Sequence, residues 1–201
     1  MLIRKNINPT RAIAVTAMLS AISSVLQFLE FPLPFLIPAF VEFDFSDLPA
    51  LIGSFSMGPL FGVVICLLKN TIHLLVTTTA GVGELANFLL SASFVFVAGV
   101  VYHFKRNRTG ALLGSLLGAF FMALVSIPIN FYITYPFYFV IFAPEEAILS
   151  AYQALLPSVS STIECLLIFN APFNLFKGIV TSAIAFGIYK HISPLIKGKR
   201  A

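Results

Sequence analysis

The sequence predicts an all-α integral membrane protein, with six transmembrane helices and a long structured first extracellular loop. Hydrophobic residues make up 59% of its 201 residues and charged residues only 10%, whereas roughly a quarter of the residues of soluble proteins are charged. The mean hydropathy is +0.98, and the apolar residues fall into runs near the ~20 residues of a spanning helix. A soluble fold is therefore excluded, and residues 1–201 are expected to form a single membrane domain.

The first three predicted spans are residues 12–30, 47–57 and 60–78. No small-x-small cleavage site closes the first apolar run before Phe31, so we expect it to be a retained span and not a signal peptide. Ser46 or Asp47 can cap the second span, with Pro49 in its first turn. The Gly58-Pro59 pair then separates the second span from the third.

The last three predicted spans are residues 84–104, 110–131 and 172–191. The turn 80–83 precedes the fourth span, and the basic loop 105–108 separates it from the fifth. We expect residues 134–170 to hold two amphipathic stretches that lie at the membrane interface. Pro172 is then expected in the first turn of the final span.

The segment between the first two spans, residues 31–47 (FPLPFLIPAFVEFDFSD), is unlike an ordinary hydrophilic loop. It carries three prolines and three acids among large apolar residues. Prolines prevent a regular helix there, while the apolar side chains need cover from water. We therefore predict that this segment, called the first loop below, is a structured cap against the outer membrane surface.

The distribution of charge predicts the orientation of the spans. The positive-inside rule places clusters of Lys and Arg on the cytoplasmic side. Six crossings put all three basic clusters and both termini on that side, and all eight acids at or beyond the outer ends. Basic residues at the ends of apolar runs also exclude a nucleic-acid-binding face. The clusters are Arg4, Lys5 and Arg11; Lys105, Arg106 and Arg108; and Lys190, Lys197, Lys199 and Arg200.

Two lysines remain inside predicted spans, where ionisable groups are costly and are candidates for function. Lys69 has His73 one turn away, and a structural polar pair and a functional one both fit this spacing. Lys177 has Asn174 one turn away, and we expect Asn130 to approach from the same outer side. An ammonium group and two amides at one depth favour a binding site over a lysine that only reaches the interface.

Such a site suits a flat heterocycle with an imide edge, because an asparagine offers a donor and an acceptor side by side. The aromatic residues of the first loop suit the faces of a flat ring. The residues alone leave open whether the ligand is a flavin, a pterin or a nucleobase.

Signatures of covalent chemistry are weak. Ser56 lacks the glycine pattern of a nucleophile elbow, and the three histidines lie on separate elements without metal-ligand spacing. The sequence has no Gly-Lys-Ser or Gly-Lys-Thr phosphate-binding loop, so the chain cannot hydrolyse ATP by itself. Cys66 and Cys165 are too far apart in sequence to suggest a disulfide framework. We expect neither an enzyme nor a bound cofactor or metal.

The segments FDFSDLPALIGSFSMGPLFGVVICLLKNTIH, GVGELANFL, PFNLFKG and IYKHISPLIK resemble the riboflavin-binding S component of energy-coupling-factor (ECF) vitamin transporters. The resemblance covers most of the chain. It implies a substrate-capture subunit in the plasma membrane of a prokaryote. Riboflavin would be the transported ligand, held beneath the first loop. The partners would be membrane lipid and a transmembrane scaffold subunit with two ATP-hydrolysing subunits.

The resemblance also assigns roles to residues that match its motifs. It implies contacts to the isoalloxazine ring from Asn130, Asn174 and Lys177. It further implies substrate contacts from Leu36 and Phe40 of the first loop and from Glu84 and Asn87 of GVGELANFL. On the first span, Ala17 and Ala21 form a small-xxx-small pattern, which permits close helix approach in lipid, and would dock on the scaffold.

Three alternatives remain at this point. One is an S component for another flat vitamin. Another is an intramembrane enzyme that uses Ser56 or His73. The last is an autonomous channel or facilitator, although no span carries the polar stripe that a pore would need.

Overall fold

A computed structural model describes residues 8–197, with side chains described as far as Ile188. Four of the basic residues predicted to be cytoplasmic, Arg4, Lys5, Lys199 and Arg200, lie outside the described residues. The side chains of Lys190 and Lys197 are not described. The described chain is mostly helical, with one very short sheet. The helices are α1 (Pro9–Phe28), α2 (Asp47–Met57), α3 (Pro59–His73), α4 (Val82–Phe104), α5 (Arg108–Ile129), α6 (Tyr135–Ile141), α7 (Glu145–Gln153), α8 (Thr162–Cys165) and α9 (Ala171–Lys197).

Five helical segments of the described chain are long and apolar enough to cross a membrane. They are Pro9–Phe28, Pro59–Val76, Val82–Phe104, Arg108–Ile141 and Thr162–Ile188. The second includes the 3-10 turn Leu74–Val76 at the end of α3. With only 11 residues, α2 is about 16 Å long, roughly half the thickness of the hydrocarbon core.

Helices α2 and α3 form an antiparallel hairpin whose tip is Gly58. The φ angle of Gly58 is +124°, a conformation that suits glycine because it has no Cβ. A Cβ added to Gly62 would lie 2.7 Å from Cβ of Ser54, so the two helices touch near the tip. Farther along, Nζ of Lys69 lies 2.8 Å from Oδ1 of Asp47. The start of α2 and the last turns of α3 are therefore on the same side of the molecule.

The first loop contains a small antiparallel hairpin of β1 (Phe31–Pro32) and β2 (Glu42–Phe43), in which Phe31 pairs with Phe43. The sequence predicted only helices, so these strands are an addition to the all-α prediction. Ile37 and Phe43 of this loop are buried in a cluster with residues from α6, α7 and α9. A second core is shared by the five helices from α1 through α5. Its members include Leu19, Leu51, Ile65, Phe94 and Met122.

The structure corrects the predicted boundaries of the last two spans. Helical backbone continues beyond residue 131 as far as Ile141, and the final helical segment begins at Thr162, ten residues before Pro172. Both continuations pass through a π-helical turn, Asn130–Thr134 and Leu166–Asn170. Only about residues 142–161, with α7, therefore remain of the interfacial region predicted for residues 134–170.

The π turns explain why two prolines do not end these helices. The N–H of Tyr135 bonds to the Asn130 carbonyl, and that of Ala171 to the Leu166 carbonyl; Pro136 and Pro172 follow directly. In a regular α-helix, a proline ring clashes with the carbonyl four residues earlier. A π turn adds one residue to the helix and accommodates the ring. The sequence pattern used for the final span included Pro172 but gave no sign of the π turn that precedes it.

Candidate functional site

A cavity of about 180 Å³ lies where the end of α1, the first loop, the start of α4, both π turns and α9 meet. Six of the seven predicted substrate-binding residues line it. Leu36 does not line it and is 39% exposed. The six lining residues are Phe40, Glu84, Asn87, Asn130, Asn174 and Lys177.

The two π turns bring asparagine side chains to the cavity. Asn130 begins the first π turn and Asn170 ends the second, and both are buried. Asn174 and Lys177 follow Asn170 on the same face, four and seven residues later. π turns inside α-helices frequently occur at functional sites. This lining thus depends on helix geometry that the sequence pattern did not show.

Lys177 forms a buried ion pair with Asp44 at the end of the first loop. Its Nζ lies 2.7 Å from Oδ2 of Asp44, and the two residues are 6% and 1% exposed. Burial opposes ionisation of Asp44, but Lys177 and Lys69 outweigh it and hold the pKa of this carboxyl well below its ordinary value. Because an ammonium group has three donors, Lys177 can bind a ligand in the cavity while it stays paired with Asp44.

Lys69 forms the second buried ion pair, with Asp47, and not a polar pair with His73. Besides its 2.8 Å contact to Asp47, its ammonium donates to the hydroxyl of Ser46 and, at 3.4 Å, to Oδ1 of Asn87. Lys69 is fully buried. Since a buried ammonium needs such partners, the pair explains how this lysine is tolerated inside the protein.

His73 belongs to a separate cluster with Glu84 and the turn between α3 and α4. Its Nδ1 lies 3.1 Å from Oε1 of Glu84, whose other oxygen accepts from the hydroxyls of Thr77 at 2.9 Å and Thr79 at 3.0 Å. On the other side of the ring, Nε2 of His73 lies 3.4 Å from Glu30. The Glu84 carboxylate therefore fixes the turn as well as lining the cavity.

A tyrosine pair on the loop side of the cavity was missed by the sequence analysis. The hydroxyls of Tyr135 and Tyr152 are hydrogen-bonded to each other. Tyr152 also donates to Oδ1 of Asn170 at 2.8 Å, and Nδ2 of Asn170 donates to Tyr135 at 3.2 Å. Phe40 packs edge-on against Tyr152, with 6.0 Å between the ring centroids. The network thus connects α7 and the first loop to the second π turn.

Two further polar atoms near the cavity have unused hydrogen-bonding capacity. Oε1 of Gln27 and Oγ1 of Thr134 are buried and have no hydrogen-bond partner among the described residues, and both residues line the cavity. Buried polar atoms are normally satisfied, so these are candidates to bind a ligand or water. Among the described residues, no group of three or more His, Cys, Asp or Glu side chains could hold a metal ion.

Comparison with known proteins shows the family of the chain that forms this cavity. Residues 11–189 match the family model described as "ECF transporter, substrate-specific component". The chain belongs to this family. A solved structure described as the S component of a bacterial ECF transporter has a TM-score of 0.74 to this S component and 31% sequence identity. The match covers 96% of this chain and 100% of the other.

Two curated relatives of this S component are similar over nearly their whole length. The riboflavin transporter RibU of Staphylococcus aureus (strain TCH60) is 32% identical over 193 residues, which cover 96% of this chain and 95% of the relative. The riboflavin transporter FmnP of Bacillus subtilis (strain 168) is 30% identical over 194 residues, which cover 95% and 96%. The family is one of transport proteins, so the alternative of an intramembrane enzyme is excluded.

The two alanines predicted to dock on a scaffold lie on the outer face of α1 in this S component. Ala17 and Ala21 are exposed, together with the neighbouring Met18 and Ile22. The opposite face of α1 is buried against the rest of the protein and includes five polar residues, Thr16, Ser20, Ser23, Ser24 and Gln27. The alanines therefore do not pack inside the described protein.

Proposed function

We propose that this S component captures riboflavin in the cavity and delivers it to the cytoplasm with the help of an ATP-hydrolysing module. The observation that carries the proposal is the convergence of Asn130, Asn174 and Lys177 at one cavity, which Phe40 of the first loop also lines. The relatives named riboflavin transporters support the choice of ligand.

The polar groups suit the flavin ring. Its imide edge presents a donor between two acceptors, which an asparagine amide can match side by side. Lys177 adds a charge-assisted donor to a carbonyl or ring nitrogen that carries partial negative charge. Phe40 and the Tyr135–Tyr152 pair supply aromatic surface near the cavity. Leu36 does not line the cavity, and in this proposal it contacts the ligand only after a movement of the first loop.

The cavity is smaller than the proposed ligand requires. Its volume of about 180 Å³ is below the range of about 300 to 1,000 Å³ that is common for drug-sized ligands. Phe40, Val41 and Glu42 of the first loop line the cavity, and we infer that they move outward when riboflavin enters. The proposed order is therefore opening of the loop, entry of the ligand, and closure over it.

The proposed topology has six crossings, an extracellular first loop and both termini in the cytoplasm. The antiparallel α2–α3 hairpin supports it, because both ends of the hairpin are then on the side of the first loop. The basic residues 105–108 then share the cytoplasmic side with Arg11. The proposed membrane is the plasma membrane of a prokaryote, since the two relatives named above are bacterial.

The proposed partners are an ECF transmembrane scaffold subunit and two ATP-hydrolysing subunits. The chain has no phosphate-binding loop, so the energy must come from another subunit. Exposed Ala17 and Ala21 on α1 supply the docking face, because small side chains permit close approach of a second helix in lipid.

The absorption spectrum of the detergent-purified protein tests the choice of ligand. A tightly bound flavin would survive purification, colour the protein yellow and have quenched fluorescence. Protein without bound flavin should quench the fluorescence of added riboflavin on titration. A pterin at the same concentration should not compete with riboflavin for binding. A protein that neither carries flavin nor responds to added riboflavin would refute this choice and favour another flat vitamin.

A further inference from the structure

Asn87 lines the cavity, and its side-chain amide is held from behind by two donors. Oδ1 of Asn87 accepts from the hydroxyl of Ser91 at 2.9 Å and from Nζ of Lys69 at 3.4 Å. Ser91 is 1% exposed and Lys69 is fully buried. Both donors therefore approach the amide from the protein interior.

Lys69 can act only as a hydrogen-bond donor to Asn87, because an ammonium group donates and never accepts. Asp47 and the hydroxyl of Ser46 hold its Nζ in place. If the Asn87 amide were reversed, its NH2 group would face the ammonium, and two donors would meet without an acceptor. The carbonyl oxygen must consequently point towards Lys69, and the NH2 group is left for the cavity.

We propose that Lys69 is a positioning residue that fixes the Asn87 amide with its NH2 group towards the ligand, so that this part of the cavity selects a hydrogen-bond acceptor. The inference rests on the proposed function, since it assigns a specificity to the same cavity. The ligand group at this position is a carbonyl, a hydroxyl oxygen or a ring nitrogen with a free lone pair. A group that can only donate is rejected there.

Asn174 has the opposite polarity for a similar reason. Its Nδ2 donates to the backbone carbonyl of Asn170 at 2.8 Å, and a carbonyl can only accept. Oδ1 of Asn174 is thus the atom left for a ligand. The cavity then offers donors at Asn87 and Lys177 and an acceptor at Asn174, which requires a ligand with both kinds of group.

The first test compares two substitutions of Asn87 by titration with riboflavin. Asn87→Ala removes the donor, and we expect about five-fold weaker binding, the effect of one hydrogen bond. Asn87→Asp keeps the shape but replaces the donor with a second acceptor, so it should weaken binding more than Asn87→Ala does. Binding by Asn87→Asp as tight as that of the unaltered protein would overturn the proposed polarity.

The second test separates positioning from a structural role of Lys69. Lys69→Met alone would leave Asp47 buried without its partner, so we combine it with Asp47→Asn, which neutralises both members of the pair. The double variant should bind riboflavin about five-fold more weakly than the unaltered protein. In the Asn87→Ala background the same double substitution should have no further effect on affinity, because the amide that Lys69 orients is gone.

A further loss of affinity in the Asn87→Ala background would show that Lys69 acts through the fold, and would overturn the proposal. Thr71→Val serves as a matched control, because Thr71 is exposed on the same helix and should change neither the melting temperature nor the affinity. Melting temperatures of all variants, measured in detergent, establish that they are folded.

A measurement without ligand distinguishes failure of this inference from failure of the proposed function. In protein labelled with 15N-asparagine, the Asn87→Ala variant identifies the side-chain NH2 signal of Asn87. This signal should move in the Lys69→Met/Asp47→Asn variant and stay in place in Thr71→Val. An unmoved signal overturns the positioning role whether or not riboflavin binds, whereas a moved signal with no riboflavin binding would refute only the ligand.

Discussion

The Lys177–Asp44 pair changes what a substitution of Lys177 can test. Asp44 is 1% exposed, so Lys177→Met leaves a buried carboxylate without its cation. Loss of one member of a buried ion pair costs about 3 to 5 kcal/mol. This is a large part of the free energy of unfolding of a typical protein, which is about 5 to 15 kcal/mol. We therefore expect Lys177→Met to lower both the yield and the melting temperature of the protein.

A second substitution separates stability from binding. Asp44→Asn removes the negative charge, and it retains the oxygen that accepts from the backbone N–H of Ser46 at 2.7 Å. The double variant Lys177→Met/Asp44→Asn should regain most of the lost stability, because neither partner is then an unpaired charge. It should still bind riboflavin at least about ten-fold more weakly, since a hydrogen bond from a charged donor is worth about 1.5 to 3 kcal/mol.

Thermal unfolding in detergent and quenching of riboflavin fluorescence measure the two effects separately. Lys177→Met with the melting temperature of the unaltered protein would refute the importance of the ion pair for stability. A folded double variant with unchanged affinity would refute a contact between Lys177 and the ligand. A double variant as unstable as Lys177→Met would show that Asp44 is not the group left unsatisfied.

Three other predictions follow from the same structure. Ala17→Leu with Ala21→Leu should leave riboflavin binding unchanged and abolish uptake by cells that contain the partner module; weaker binding in detergent would mean that these alanines do not face outward. Tyr152→Phe removes the hydrogen bond to Asn170 and should lower stability by about 1 kcal/mol and affinity a few-fold; equal melting temperature and affinity would contradict the role of the tyrosine pair. Burial and the neighbouring Glu42 raise the pKa of Glu30, just beyond α1, to about 7. The folded protein then holds a proton that the unfolded chain releases, so stability should fall as pH rises from the ordinary pKa of a glutamate towards about 7. Glu30→Gln should flatten this dependence between about pH 4.5 and about pH 7, and an unchanged slope would disprove the assignment.

The helices with clear boundaries could be predicted from sequence because their signals are local. Gly58-Pro59 marks the tip of the α2–α3 hairpin, and the basic loop 105–108 lies between α4 and α5, as the sequence indicated. The start of the final helical segment could not be predicted. Pro172 is typical of a first helical turn, and the π turn that accommodates it leaves no recognisable sequence pattern.

The same boundary error hid part of the site. Asn170 lies four residues before Asn174 and belongs to the same face only if the helix continues through it. With the helix started at Pro172, Asn170 was expected in an interfacial stretch. One sequence signal for this was available. Asn170, Asn174 and Lys177 are spaced by four and three residues, which places their side chains on one face of a helix.

The distribution of charge predicts a side of the membrane for the acids, but it does not predict their partners. Charge counting placed Asp44 and Asp47 among the outer acids, and it could not reveal that they pair with the two lysines within the spans. Asp44 and Lys177 are 133 residues apart in sequence. Such long-range contacts depend on the packing of α2, α3 and α9, for which a single sequence gives no register.

These pairs also limit how the first loop can open. Asp44 is bonded to Lys177 on α9, and Asp47 to Lys69 on α3, so the end of the loop is fixed by two buried contacts. Phe35, in contrast, is 74% exposed. Breaking either pair would leave charges buried without partners, whereas moving the residues around Phe35 and Phe40 would not. Opening for a ligand must therefore come from the part of the loop before Asp44, while the end next to α2 stays in place.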